Sequence, residues 1–234
     1  MVFTDVKPIN KIMLILVTND DGIYAEGLKE LEKELRKFAE VLVVAPDREQ
    51  SASSHSFTLN RPLRMNERGP NRYSCDGTPT DCVMLGTHGI LKHRLPDLLI
   101  SGINHGANMG EDITYSGTVA AAIEGSILGI PSLAVSNTDG DNLKSYKPAA
   151  GFIAKFIKQI GEFDFPTEIF LNINFPELRG TRFTKHRYTY PGKRVYNDIV
   201  IEKTDPRGKN YYWIAGEATW KSIERTDFEA VSSG

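Results

Sequence analysis

Met13–Gly22 reads MLILVTNDDG: an apolar run that stops abruptly at two adjacent carboxylates and a glycine, with a helix-like segment behind it. A short continuous apolar run is how a buried parallel strand looks in sequence, and open α/β sheets carry their sites at the carboxyl ends of such strands. Asp20 and Asp21 therefore stand where chemistry is expected. Adjacent carboxylates repel unless something positive lies between them, and a divalent cation is the natural third party.

Outward from this stretch, strand-like and helix-like pieces alternate. Ile12–Thr18 reads as the first strand. Glu26–Phe38 reads as an amphipathic helix, with Leu28, Leu31, Leu35 and Phe38 at helical spacing. Val41–Ala45 is a second buried strand, stopped by Pro46. Phe57–Met65 and Arg72–Cys75 read as less regular extended pieces. A helix follows from Pro79 to Leu91, opened by Thr78 as its cap and by proline at its first position. Leu98–Ser101, Leu133–Ser136 and Ile169–Ile173 supply further strands, with helices over Gly117–Leu128 and about 149–160. Strands and helices alternating at this pace predict an α/β fold, a Rossmann-like three-layer core around a mainly parallel sheet.

The character changes after Pro176. Arg182–Tyr190, Tyr196–Lys203 and Tyr211–Ala215 mix polar and aromatic residues, with turn signals at Pro191-Gly192 and Pro206-Arg207-Gly208. Antiparallel hairpins are predicted here, so the chain divides into an α/β core over 1–176 and a β-hairpin extension over 177–234. Such an aromatic-rich extension serves subunit pairing or a pocket rim, or simply packs on its own core.

A chain of 234 residues with 40% apolar composition can bury a full core. A net charge of -2, with no basic tail or stripe, gives no electrostatic case for a nucleic-acid polymer as partner. Cys75 and Cys82 make no disulfide framework and read as small buried thiols in a reducing compartment. No signal-peptide pattern opens the chain and its apolar runs are strand-length, which points to a soluble cytoplasmic protein without a membrane partner.

Three further fragments fall at the same sheet edge as the paired aspartates. Ala45–Ser56, APDREQSASSHS, leaves the second strand and is rich in hydroxyls, which ligate metals or hold phosphate oxygens. Ser101–Gly110, SGINHGANMG, leaves the third short strand, where Asn104 offers a neutral oxygen to a metal already held by carboxylates. Ser116-Gly117-Thr118 then opens a helix, and a helix N-terminus suits phosphate. Each fragment has a plain alternative, since Asn-Asp-Asp-Gly is also good turn chemistry and the second loop also reads as a solvated one. Their convergence is the stronger signal. The pattern is neither a P-loop nor a dinucleotide fingerprint.

In this combination the chain resembles the SurE family, the stationary-phase survival proteins, which are metal-dependent 5'(3')-nucleotidases. The likeness is carried by VTNDDG at Val17–Gly22, APDREQSASSHSFTL at Ala45–Leu59, CDGTPTDCV at Cys75–Val83, SGINHGANMGEDITYSGTVAAAIEG at Ser101–Gly125 and LNINFP at Leu171–Pro176. It extends from about residue 11 to Asp227. The resemblance implies one divalent cation per subunit, Mg²⁺ or Mn²⁺, held by Asp20, Asp21, Ser51 and Asn104. It implies hydrolysis of nucleoside 5'- and 3'-monophosphates, with short polyphosphate a further substrate, and a C-terminal hairpin region exchanged between subunits of dimers or tetramers.

On that reading Asp20, Asp21 and Asn104 are the catalytic residues. Asn19, His105, Asn108, Ser116, Gly117 and Thr118 contact phosphate or substrate. The cation would offset charge growing on the phosphoryl group and acidify the attacking water. The sequence departs from the family in having Ser51-Ala52 where Ser-Gly is usual. It also ends at Gly234, where the family adds a short strand and a Thr-Pro close. Two rival readings differ in what they lack. A receiver-type phosphoacceptor domain needs an aspartate ending the third strand, and Leu98–Ser101 runs into glycine instead. A non-catalytic nucleotide or metal sensor keeps the same ligands but shows no turnover.

Overall fold

The computed structural model describes residues 12–92, 94–160, 166, 168–196, 199–215, 218–221 and 223–233. The expected lack of a leader falls on residues 1–11, outside the described residues. Seven strands form one sheet: β1 (Leu14–Thr18), β2 (Glu40–Pro46), β3 (Met65–Gly69), β4 (Arg72–Cys75), β5 (Leu98–His105), β6 (Ser132–Asn137) and β7 (Phe170–Phe175). Their order is β3-β4-β2-β1-β5-β6-β7, and every neighbouring pair is parallel except β3 with β4. The α/β reading with a mainly parallel sheet is thus what the chain adopts.

Alternation along β1 builds the two outer layers. Ile15 and Val17 pack with α1 (Glu26–Leu35) and α4 (Leu143–Ile160), through Leu28, Leu31, Leu35, Ala149, Ile153 and Ile157. Leu16 faces the other way, toward Cys82 and Val83 of α2 (Pro79–Met84) and Ala121 of α3 (Gly117–Ile127). The three α1 leucines are fully buried, each stabilising the fold by about 1.5–3 kcal/mol.

Local chemistry explains the element ends. Thr78 accepts from the Asp81 amide at 3.1 Å while the Asp81 carboxylate accepts from the Thr78 amide at 2.9 Å, a reciprocal cap for α2. The α-helix stops at Met84 and widens into a π-type turn over Leu85–Leu91, in place of one continuous helix. Gly86 and Gly89 in this stretch weaken helical propensity. α4 starts at Leu143 rather than near 149, and Pro148 lies inside it, at the sixth position.

The C-terminal extension holds two antiparallel pairs. β9 (Ile199–Thr204) pairs with β10 (Asn210–Ala215) across the Pro206-Arg207-Gly208 turn, and β8 (Arg194–Tyr196) pairs with β11 (Ala218–Trp220). The expected strand over Arg182–Tyr190 does not form. That segment is irregular, docks Phe183 on Phe175 with ring centroids 4.7 Å apart, and closes with an isolated bridge from Tyr190 to Thr226. A short helix not anticipated, α5 (Asp227–Ser233), follows. The Asp227 carboxylate accepts from the amides of Gly110 at 2.9 Å, Gly192 at 2.7 Å and Phe228 at 2.8 Å, which joins the extension to the loop beyond β5.

Candidate active site

The site lies where the order of strands turns about β1, whose neighbours β2 and β5 continue the sheet in opposite directions. The turn after β1 is closed by Asn19, whose side-chain amide donates to the Gly22 carbonyl at 2.9 Å and accepts from the Gly22 amide at 3.2 Å. Gly22 takes φ +100°, a conformation other residues reach only with strain. This turn aims the two carboxylates into the crevice.

Asp20 is 4% exposed, and the hydroxyl of Thr118, in the first turn of α3, donates to its Oδ1. Burial pushes the Asp20 carboxyl above its ordinary range, against the opposing pull of the Thr118 hydroxyl and amide. Asp21 accepts from the His105 amide at 2.9 Å. Burial, reinforced by the charge of Asp20, pushes its carboxyl up to about 6. The charge of Glu49 raises both further. This is a crevice short of positive charge.

The other expected residues distribute around this pair. Asn104 is buried at the end of β5 and commits its amide nitrogen to the Gly106 carbonyl at 2.9 Å, so its oxygen is what remains to offer. Ser116 caps α3 by accepting from the Val119 amide at 3.1 Å. A Cβ added to Gly117 would stand 2.6 Å from Ser53 Oγ and 3.2 Å from Asp20 Oδ2, so α3, the loop after β2 and Asp20 meet at that point. His105 lies at the rim with its ring 3.2 Å from Asp141. Asn108 is turned inward: its side chain donates to Ser136 at 2.8 Å and its carbonyl accepts from Asn172 and Asn174. Ser51 is exposed and donates to Glu49 at 2.6 Å.

Two residues escaped the sequence reading. Ser53 has a buried hydroxyl with no hydrogen-bond partner among the described residues, beside Asp20. Glu49 contributes charge to both aspartates. Both stood inside the quoted loop, yet nothing in a run of serines tells which hydroxyl turns inward.

Among the described residues no group of three or more His, Cys, Asp and Glu side chains is placed to hold a metal. What the crevice does offer is two carboxylates, an amide oxygen and a partnerless buried hydroxyl, an all-oxygen set suited to a hard cation. The donor chemistry fits the divalent cation that the sequence motifs imply.

The family model described as Survival protein SurE matches residues 15–198. The chain belongs to the SurE family. It is 47% identical over 223 residues to the 5'-nucleotidase SurE of Geotalea daltonii, covering 95% of this chain and 90% of that relative. The 5'-nucleotidase SurE of Pelobacter propionicus is 49% identical over 221 residues, with 94% and 89% covered. The crystal structure of the SurE protein from Aquifex aeolicus superposes with a TM-score of 0.83 at 43% identity, covering 94% of this chain and 90% of that one. Within this SurE chain the departure at Ala52 has a structural counterpart: Ala52 takes φ +57°, the left-handed region that the usual glycine would occupy freely.

The raised Asp21 carboxyl gives a testable pH dependence. A carboxyl that binds its proton more tightly folded than unfolded favours the fold fully below 3.8, and that advantage is lost as pH rises through about 6. In EDTA, Asp21→Asn is therefore expected to melt higher than wild type near pH 8, by about 2 kcal/mol after allowance for solvent screening. The gap should close toward pH 4. A gap that stays constant across this range would show that Asp21 titrates normally in the fold.

Proposed function

We propose that this chain is a metal-dependent phosphomonoesterase of the 5'-nucleotidase type, acting on nucleoside 5'- and 3'-monophosphates and on short polyphosphate. The observation that carries this reading is the buried Asp20 carboxylate facing the first turn of α3, with Asp21 beside it. Carboxylates gather in a crevice at a helix N-terminus when a cation and a phosphate complete the charge balance. The relatives named 5'-nucleotidase SurE support the same reading.

In this proposal Asp20, Asp21 and Asn104 hold one Mg²⁺ or Mn²⁺ per subunit, with Ser51 joining from the loop on the strength of the family motif. The bound cation would supply charge neutralisation at the phosphoryl oxygens and a more acidic water. The chain's own residues do the rest. Gly117 lets Ser53 and Asp20 close in on the start of α3, where Ser116, Gly117 and Thr118 would hold phosphate oxygens. Ser53 adds a second hydroxyl beside Asp20. His105 contacts the substrate from the rim, while Asn19 and Asn108 act by holding the backbone on which the others stand.

The same reading gives residues 1–176 the chemistry and 177–234 the pairing of subunits into dimers or tetramers. Tyr211, Trp213 and Ile214 lie exposed on the β9–β10 hairpin, as a pairing surface requires. No helix among the described residues is long and apolar enough to cross a membrane, and we place the activity in the cytoplasm.

The test is phosphate release from a panel of nucleoside 5'- and 3'-monophosphates, tripolyphosphate and p-nitrophenyl phosphate, in EDTA and with Mg²⁺ or Mn²⁺. Turnover that appears with metal and prefers nucleotides is the expected result. Binding of nucleotide without phosphate release by folded, metal-supplied protein would instead establish a sensor.

A further inference from the structure

The helix α3 is built from small and apolar residues, GTVAAAIEGSI, yet it carries one buried acid. The Glu124 side chain is 6% exposed, and the His55 ring meets it with Nε2 2.8 Å from Oε2. A carboxylate buried in such a helix is costly unless another group pairs with it, and packing alone gives no reason to keep it there. The partner comes from 69 residues away, out of the loop between β2 and β3 that holds Ser51 and Ser53.

This loop needs holding. Ala52 and Ser54 both sit in the left-handed region, at φ +57° and +52°, where a side chain strains the backbone. The chain on the N-terminal side is tied down by the Gln50 amide on the Asp20 carbonyl at 2.8 Å. Ser54 is tied to the turn before α3, by its amide to Tyr115 O at 3.1 Å and by its hydroxyl to Thr114 O at 2.9 Å. Downstream, Thr78 donates to Ser56 O at 2.8 Å and the Thr58 amide donates to Asp81 at 3.0 Å. His55 is the point at which a side chain of the loop grips the body of α3 itself.

We propose that His55 and Glu124 are a positioning couple that pins the loop after β2 onto α3 and so keeps the Ser53 hydroxyl beside Asp20. The inference rests on the phosphomonoesterase reading for its kinetic consequence, but its structural half stands alone. Neither residue touches the carboxylates. Their effect passes through the backbone of residues 51–54, which a loosened loop would carry away from the crevice.

The experiment compares wild type, His55→Ala, His55→Gln and Glu124→Gln by hydrogen–deuterium exchange and by steady-state kinetics in saturating metal. In His55→Ala, amides of residues 48–58 should exchange about tenfold faster while those of α3 and β1 keep their protection. KM for the preferred nucleotide should rise about tenfold with a smaller change in kcat, because substrate binding loses a preformed loop. His55→Gln and Glu124→Gln, which keep a hydrogen-bonding partner, should recover much of both effects. Unchanged loop exchange in His55→Ala would overturn the proposal. So would faster exchange spread evenly over α3 and β1, which marks a general loss of stability. If wild type hydrolyses no phosphomonoester, the activity reading fails, and the exchange comparison still decides the pinning.

Discussion

Asp20→Asn is expected to lower nucleotide turnover by about 10³-fold or more while leaving the melting temperature at or above that of wild type. The substitution keeps shape and an acceptor oxygen for the Thr118 hydroxyl, so the hydrogen bond between the turn after β1 and α3 survives. What it removes is the charge. In the folded protein that charge is disfavoured, because burial pushes the Asp20 carboxyl up, and nothing in the protein compensates it fully. A buried group that costs stability and sits in a crevice at a helix start earns its place through a ligand. Activity and stability should therefore move in opposite directions. A variant that loses both would mark Asp20 as a structural carboxylate, and one that keeps full activity would remove it from the chemistry.

Gly27→Ala should destabilise the protein by about 3 kcal/mol, a fall of roughly 6–12 °C in melting temperature for a chain of this size. In an ordinary exposed helix the same change stabilises by about 1 kcal/mol. Here α1 crosses β5 so closely that the new Cβ would lie 2.0 Å from the Ile103 carbonyl oxygen and 3.0 Å from Tyr146 Cε1. The oxygen belongs to the backbone and cannot swing aside, so the helix must lift off the sheet. Ile103 precedes Asn104, and lifting α1 there also disturbs the crevice. Gly151→Ala on α4 is the control, since its Cβ would meet nothing within 4 Å and should be neutral or stabilising. Equal melting temperatures for Gly27→Ala and wild type would refute the close contact.

The elements that were readable in advance are those whose physics is local. β1, β2 and β6 are unbroken apolar runs because the sheet buries both of their faces, and they lie within two residues of where the run places them. Thr78 and Pro79 announced α2, and the cap geometry is there. Failures came where partners distant in the chain decide the outcome. Phe57–Met65 looked extended, but of it only Met65 joins the sheet, as the start of β3 (Met65–Gly69) paired with β4. Arg182–Tyr190 mixes polar and aromatic residues suitably, yet Phe183 packs on Phe175 of the core and the backbone of Tyr190 forms only an isolated bridge to Thr226.

The crevice was legible by the same rule. The paired aspartates and Asn104 stand at strand ends, which fixes their place whatever the loops do. The loop after β2 does not share that certainty: four serines between 51 and 56 are equivalent on paper, and only its folding turns Ser51 toward Glu49 and Ser53 toward Gly117. In the fold the amides of Asn19 and Asn108 hold the turn after β1 and the neighbouring strands, a placement that the motif alone does not give.

The position of β1 has a consequence for how the molecule reaches its native state. β1 pairs with β2 across a single helix, Leu14 against Glu40, a short closure. Its other neighbour is β5, Ile15 against Leu98, which must be brought in from more than eighty residues down the chain. Contacts of that separation form late and slowly, since the entropy of the closed loop is lost before the pairing repays it. The two aspartates and the asparagine of the proposed site therefore stand at the ends of strands joined by that long closure. The paired carboxylates gain Asn104 as a neighbour only through a closure of more than eighty residues.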